Sequence, residues 1–126
     1  MPMKNAKVRK WLDGYPWIGM RIEAYRREME ETFKPTREQK YEEARLAFTS
    51  QILRLEKKRL EIQLAVESIP DEKARTAVRL RYIEQKSMYE MIEAMHYYEE
   101  TQIYNFIQRG CRAIEEAGWP HDDEEA

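Results

Sequence analysis

The stretch LRYIEQKSMYEMIEAMHYYEETQIYNFIQRGCRAI, Leu80 to Ile114, decides the fold. Gln85-Lys86 turns the chain, and Ser87 with Glu90 three residues later sets up a reciprocal cap, each side chain binding an exposed backbone N–H of the other. The short helix that follows turns Met88, Met91, Ile92 and Met95 to one side, a spacing that suits core filling, and ends near His96-Tyr97. A last helix, from about Glu99 to Ala117, has its apolar stripe at Ile103, Phe106, Ile107, Gly110 and Ile114. At about 100° per residue its outward face is then Thr101, Asn105, Gln108 and Arg112, flanked by Tyr98, Gln102 and Arg109. Those residue types suit base edges: amides for adenine, arginine for guanine or phosphate, a threonine methyl for thymine. Glu99 and Glu100 fall toward the core side of the first turn, where their charge favours the helix dipole. The stretch therefore predicts a helix-turn-helix presenting its last helix to duplex DNA, with Lys86 and Arg79 as phosphate contacts. The plain alternative is a solvated polar face.

Working outward, Pro70-Asp71 opens the preceding helix, with Asp71 and Glu72 well placed for an N-terminus, and Ala74, Ala77, Val78 and Ile83 predict its packed side to about Glu84. Gly118-Trp119-Pro120 stops the last helix, and the HDDEEA tail is expected to be disordered. Upstream, a long helix is expected from Arg37 to Ser68, behind a Lys34-Pro35-Thr36 stop and a Thr36–Gln39 cap. Every seventh residue from Tyr41 (Phe48, Leu55, Ile62, Ile69) is apolar, and a second stripe, Leu46, Leu53 and Leu60, also recurs at seven. Two stripes imply two neighbours: the N-terminal helices on one side and a second copy of the chain on the other, a homodimer through residues 37–68. The N-terminal part reads as a short helix to Asp13, a bend at Gly14 and Pro16, and a second helix from Pro16 to about Thr32. Trp11, Tyr15 and Trp17 are expected to form an aromatic corner at that bend. The expected class is all-α: a long-helix hairpin arm over 1–69, a helix-turn-helix domain over 70–118 and an acidic tail over 119–126.

Composition narrows the function. With 42% hydrophobic and 37% charged residues, the 126-residue chain favours helices with wide wet faces over a large spherical core. No run of 18 apolar residues occurs and no apolar signal core follows the basic start, so a cytoplasmic protein without a membrane span is expected. One cysteine, Cys111, and two histidines leave no metal-ligand spacing and no intrachain disulfide, so neither metal nor cofactor is expected and Cys111 reads as inert. No phosphate loop, H-E-x-x-H or G-x-S-x-G is present; Glu42-Glu43 and Glu115-Glu116 read as solvated surface and His96 as a helix end, so an enzyme is not expected. Net charge is −2, unevenly spread: residues 1–70 hold 15 Lys/Arg against 11 Asp/Glu, and residues 71–118 hold 7 against 9. A DNA-reading domain that is not net basic has little sequence-independent affinity, so binding must rest on a few cations gathered on one face.

The same residues carry a family likeness. Leu80-Arg81-Tyr82-Ile83, the helix-opening Ser87, Met95-His96-Tyr97 and Ile103-Tyr104, together with an N-terminal Ala6, Trp11-Leu12, Tyr15 and Ile22, resemble the sigma-region-four-like proteins of phages and prophages of Gram-positive bacteria, the group around the RinA and ArpU late-transcription activators. The resemblance implies a promoter-reading helix-turn-helix, with double-stranded DNA and RNA polymerase as partners. Three positions depart from that pattern: Tyr98 where a serine would cap the reading helix, one extra residue between His96 and Ile103, and Ile92 in place of a small residue. The function expected on this basis is a DNA-binding transcription activator whose reading set is Thr101, Gln102, Asn105, Gln108, Arg109 and Arg112. Two other readings fit the residues: a helical protein-docking adaptor worked by the heptad helix, and a small terminase subunit that recognises phage DNA as a ring.

Overall fold

Capping residues set most of the element boundaries. The computed structural model describes residues 5–33 and 39–121, and every regular element in them is helical. In chain order these are α1 (Ala6–Asp13), α2 (Tyr15–Phe33), α3 (Gln39–Glu67), α4 (Glu72–Val78) continuing into a π-helical turn (Arg79–Ile83), α5 (Met88–Ala94) and α6 (Glu100–Glu116). Asp71 caps α4, its carboxylate accepting from the backbone N–H of Lys73 and of Ala74. Ser87 and Glu90 close the reciprocal box expected for α5, at 3.0 and 3.2 Å. Gly118, at φ 92°, ends α6 with the Trp119 N–H returning to the Ile114 carbonyl and its own to Glu115, an arrangement that needs a left-handed residue. The Lys34-Pro35-Thr36 stop, the Thr36–Gln39 cap and residues 122–126 of the tail lie outside the described residues.

Two compact units emerge: Pro16–Glu61, and Met1–Tyr15 together with Ile62–Ala126. The division thus runs at 15/16 and 61/62, whereas the sequence suggested 69/70. In the Pro16–Glu61 unit, Ile22 of α2 and Ile52 and Leu55 of α3 form a small buried cluster, with Ile18, Tyr25 and Met29 packed against it. Tyr25 meets Phe48 edge-on, and Arg26 bridges to Glu56. The second stripe of α3 stays outside, Leu46, Leu53 and Leu60 being 67%, 60% and 52% exposed.

The other unit holds the larger core. α1 belongs to it because Val8 and Leu12 are fully buried there, and Trp11 stacks on Trp119 with ring centroids 5.7 Å apart. The Tyr15 hydroxyl accepts from Gln63, so Trp11 and Tyr15 take separate partners rather than the shared corner expected at Gly14, and Trp17, in the other unit, is exposed. α4 lies against α6 along Ala74, Ala77 and Val78 on one helix and Ile103, Ile107, Gly110 and Ile114 on the other. They approach closely at Gly110, where a side chain would stand 2.5 Å from Val78 Cγ2 and 3.2 Å from the Ala74 carbonyl oxygen.

The π-helical turn after α4 changes which residues face inward. In an uninterrupted α-helix, about 100° per residue carries Arg81 onto the side of Ala77 and Val78. The wider turn lags behind that rotation, so Arg81 is exposed and Tyr82 is buried in its place, while Ile83, expected inside, is only half-buried. Burial then pushes Tyr82 above its ordinary value. Cys111 beside it is fully buried, and desolvation pushes its thiol up to about 11 against the opposing pull of Arg9 and a hydrogen bond with Tyr82.

Candidate nucleic-acid interface

The surface predicted to read DNA is the outward side of α6. Its inward side is Ile103, Ile107, Gly110, Cys111 and Ile114, all buried, with Phe106 half-buried. Cys111 is the member of that side missing from the sequence-derived stripe. Opposite stand Thr101, Asn105 and Arg112, exposed, and Gln108, half-buried; their spacing of four, three and four keeps them on one side of the helix.

The turn that delivers α6 is longer than a glycine-centred one. Met95 closes α5, His96 follows at φ 62° and Tyr97 at φ 66°, both in the left-handed region. The Tyr97 N–H returns to the Ile92 carbonyl at 2.8 Å and the His96 N–H to that of Glu93 at 3.3 Å, a closure that normally takes glycine at the His96 position. Left-handed backbone costs an L-residue about 1–2 kcal/mol. Tyr98 then packs edge-on against Phe106, 5.2 Å between centroids, with the Lys73 ammonium 5.1 Å above its ring. Hydrogen bonding to Tyr98 raises Lys73 above its usual value. Capping passes to the next residue: the Glu99 N–H donates to Gln102 Oε1 at 2.9 Å. Glu99 and Glu100, expected on the core side, are both exposed.

These contacts divide the predicted reading set. Arg109 donates to Asp71 Oδ2 at 2.8 Å and lies 5.6 Å over the Phe106 ring, so it ties the capping residue of α4 to the middle of α6. Its guanidinium holds the Asp71 carboxyl below the ordinary range, aided by the Ala74 N–H. Gln102 has its carbonyl oxygen engaged in the cap. Arg79, half-buried, sits 3.6 Å from both Glu67 and Glu84. Thr101, Asn105, Gln108 and Arg112 stay together as one outward row, while Lys86 lies on the separate turn before α5 and, like Arg112, has no ion pair with a described residue. Tyr104, 46% exposed beside the row, was not in the sequence-derived set. The signal for it was available, since it lies on the Gln108 side of the same wheel.

Among the described residues no group of three or more His, Cys, Asp or Glu side chains is placed to hold a metal ion, and no helix is long and apolar enough to cross a membrane. Comparison with protein-family models, with curated proteins and with solved structures finds no match for this chain.

Proposed function

We propose that the chain is a non-enzymatic DNA-binding protein of the helix-turn-helix class, with α5 and α6 as the two helices of the motif and α4 as their support. Within that class the reading is a transcription activator of the phage and prophage type, working with RNA polymerase. The observation that carries it is the outward row of α6, Thr101, Asn105, Gln108 and Arg112, set opposite a fully buried stripe and preceded by a doubly capped α5. Such a helix fits a major groove about 12 Å wide, with amide and guanidinium groups leading. Contacts from Arg112 and Lys86 supply the phosphate attraction, Arg109 and Arg79 serving first as internal ties. The arm of this reading, expected over residues 1–69, narrows to the Pro16–Glu61 unit, since α1 and the chain from Ile62 belong to the unit that carries α6.

A fragment-binding experiment tests the proposal. Purified protein should retain a common sequence from a pool of genomic duplex fragments; Asn105→Ala should abolish that enrichment and Arg112→Ala should weaken retention of all fragments, each leaving stability within about 0.5 kcal/mol, as for other exposed positions. Retention of fragments without sequence preference, equal in the variants, would count against it.

The exposed Leu46, Leu53 and Leu60 favour a second reading for the arm, pairing of two copies through residues 37–68 or docking of another protein there. Three half-exposed leucines cover far less than the roughly 800 Å² per partner of a stable interface, so a dimer through them alone dissociates at low concentration. Mass measurement over a dilution series separates the options. A monomer–dimer equilibrium fits the regulator, and a ring of about eight or more copies fits a terminase subunit.

A further inference from the structure

Among its described residues, the Pro16–Glu61 unit has more large apolar side chains exposed than fully buried. Ile22, Ile52 and Leu55 form its buried cluster, whereas Trp17 and Met20, each 61% exposed, join the three leucines of α3 on the outside. On α2 the outer set has its own periodicity. Trp17, Met20, Ala24 and Arg27 recur at three and four residues, on the side of the helix turned away from Ile18, Ile22, Tyr25 and Met29. They line a shallow depression of about 700 Å³ edged by Arg21, Arg27 and Arg59. Arg59 reaches it from α3 by lying across Gly19, where a side chain would stand 3.7 Å from its guanidinium.

The charge at this surface is one-sided. Glu23 is the single carboxylate lining the depression and is held by Arg26 at 3.3 Å. None of the three edging arginines has an ion pair with a described residue. Glu28 and Glu31 lie further along α2 and limit the basic stretch to about three turns. An apolar centre rimmed by guanidinium groups that meet no described carboxylate, Arg21 lying 6.0 Å over the Tyr25 ring, complements a helix with apolar residues on one side and carboxylates beside them. A nucleic-acid backbone would use the arginines but gain nothing from Met20 and Ala24. A second copy of α2 would set arginines against arginines.

We propose that this side of α2 docks an acidic amphipathic helix of another protein, its apolar residues on Trp17, Met20 and Ala24 and its carboxylates on Arg21, Arg27 and Arg59. The proposal is independent of what α6 binds.

The test uses the full chain and two synthetic helical peptides of about five turns, one with leucines along one side and glutamates along the other, the second identical but with lysine for glutamate. The acidic peptide should shift the indole N–H resonance of Trp17 and leave those of Trp11 and Trp119 in place, and the lysine peptide should not. Arg27→Glu with Arg59→Glu should weaken the acidic peptide about tenfold or more, from two lost pairs and two new repulsions. Arg27→Gln alone should give a smaller loss, which keeps the test valid if the double variant unfolds. Equal response to both peptides, no response of Trp17, a Trp17 shift produced by raising protein concentration alone, or displacement of the acidic peptide by duplex DNA would each overturn the proposal.

Discussion

Replacing Gly110 by alanine is the sharpest structural probe of the unit that carries α6. The added carbon meets Val78 Cγ2 at 2.5 Å, the Ala74 carbonyl oxygen at 3.2 Å and Ile69 Cδ1 at 3.3 Å. The nearest of these cannot swing aside easily, because valine on a helix is held to one side-chain rotamer, and the second is backbone. The helices must therefore separate by a few tenths of an ångström in a close-packed core, and inserting a methyl group into such a place costs about 1–3 kcal/mol. Alanine is a better helix former than glycine by about 1 kcal/mol, which offsets part of that. Three simultaneous contacts, one of them backbone, put the packing cost at this site in the upper part of that range, about 2–3 kcal/mol, so the net expectation is a loss of about 1–2 kcal/mol, or roughly 3–10 °C in Tm for a chain of this size. Urea unfolding followed by circular dichroism should show a lower midpoint at unchanged slope. Shortening the opposing side chain in the same protein, Val78→Ala, should cost less in the Gly110→Ala background than in the parent, since it makes room for the new methyl. A Gly110→Ala protein as stable as the parent, or more so, would refute the close approach of α4 and α6 at this point.

Other outcomes follow from the same contacts. Arg109→Ala should lower stability by less than about 1 kcal/mol, as for other exposed pairs, and Arg112→Ala should leave it unchanged, so the two arginines separate a tie from a reader in thermal melts. Because Arg109 depresses the folded value of Asp71 below 3.8, the advantage of the parent over Asp71→Asn should be complete above that pH and vanish as pH falls through the lower folded value; an advantage that grows toward acid would contradict the pairing. His96→Gly should raise stability by about 1 kcal/mol, since glycine meets φ 62° without strain; a loss would mean the imidazole makes a contact of greater worth than the strain. Cys111, buried and with its thiol pushed up to about 11, should react with a thiol reagent at neutral pH only as fast as the protein opens, whereas rapid labelling of the native chain would contradict its burial.

The parts of this molecule governed by local chemistry were legible in the sequence. Ser87 with Glu90, Asp71 before α4 and Gly118 after α6 mark their boundaries through hydrogen bonds to residues no more than a turn away. The stripe of α6 could be read from its period alone. What could not be read depends on residues brought together from far apart: Arg109 reaching Asp71, 38 residues away, Trp11 stacking on Trp119, and α1 burying Val8 and Leu12 in the unit formed by the end of the chain. Periodicity gives the outward direction of Arg109, and nothing in it reveals a carboxylate on another helix within reach. The widened turn at Arg79–Ile83 is a different kind of miss: the sequence put Ile83 on the packed side, whereas the π-helical turn buries Leu80 and Tyr82 and leaves Ile83 half-buried. The shift of the α6 cap from Tyr98 to Glu99 was readable in part, since Glu99 and Gln102 have the three-residue spacing of a capping pair.

Salt dependence of duplex binding tests the central claim most directly. If the outward row of α6 enters a major groove with Arg112 and Lys86 as its phosphate-facing cations, the logarithm of the binding constant should fall with the logarithm of salt concentration at a slope of about −2, near −0.9 per neutralised phosphate. On the selected fragment, Arg112→Ala should make that slope shallower by about one, and Asn105→Ala should weaken binding without changing it. No binding at low salt, or a slope that neither substitution alters together with equal affinity for every sequence, would contradict the account.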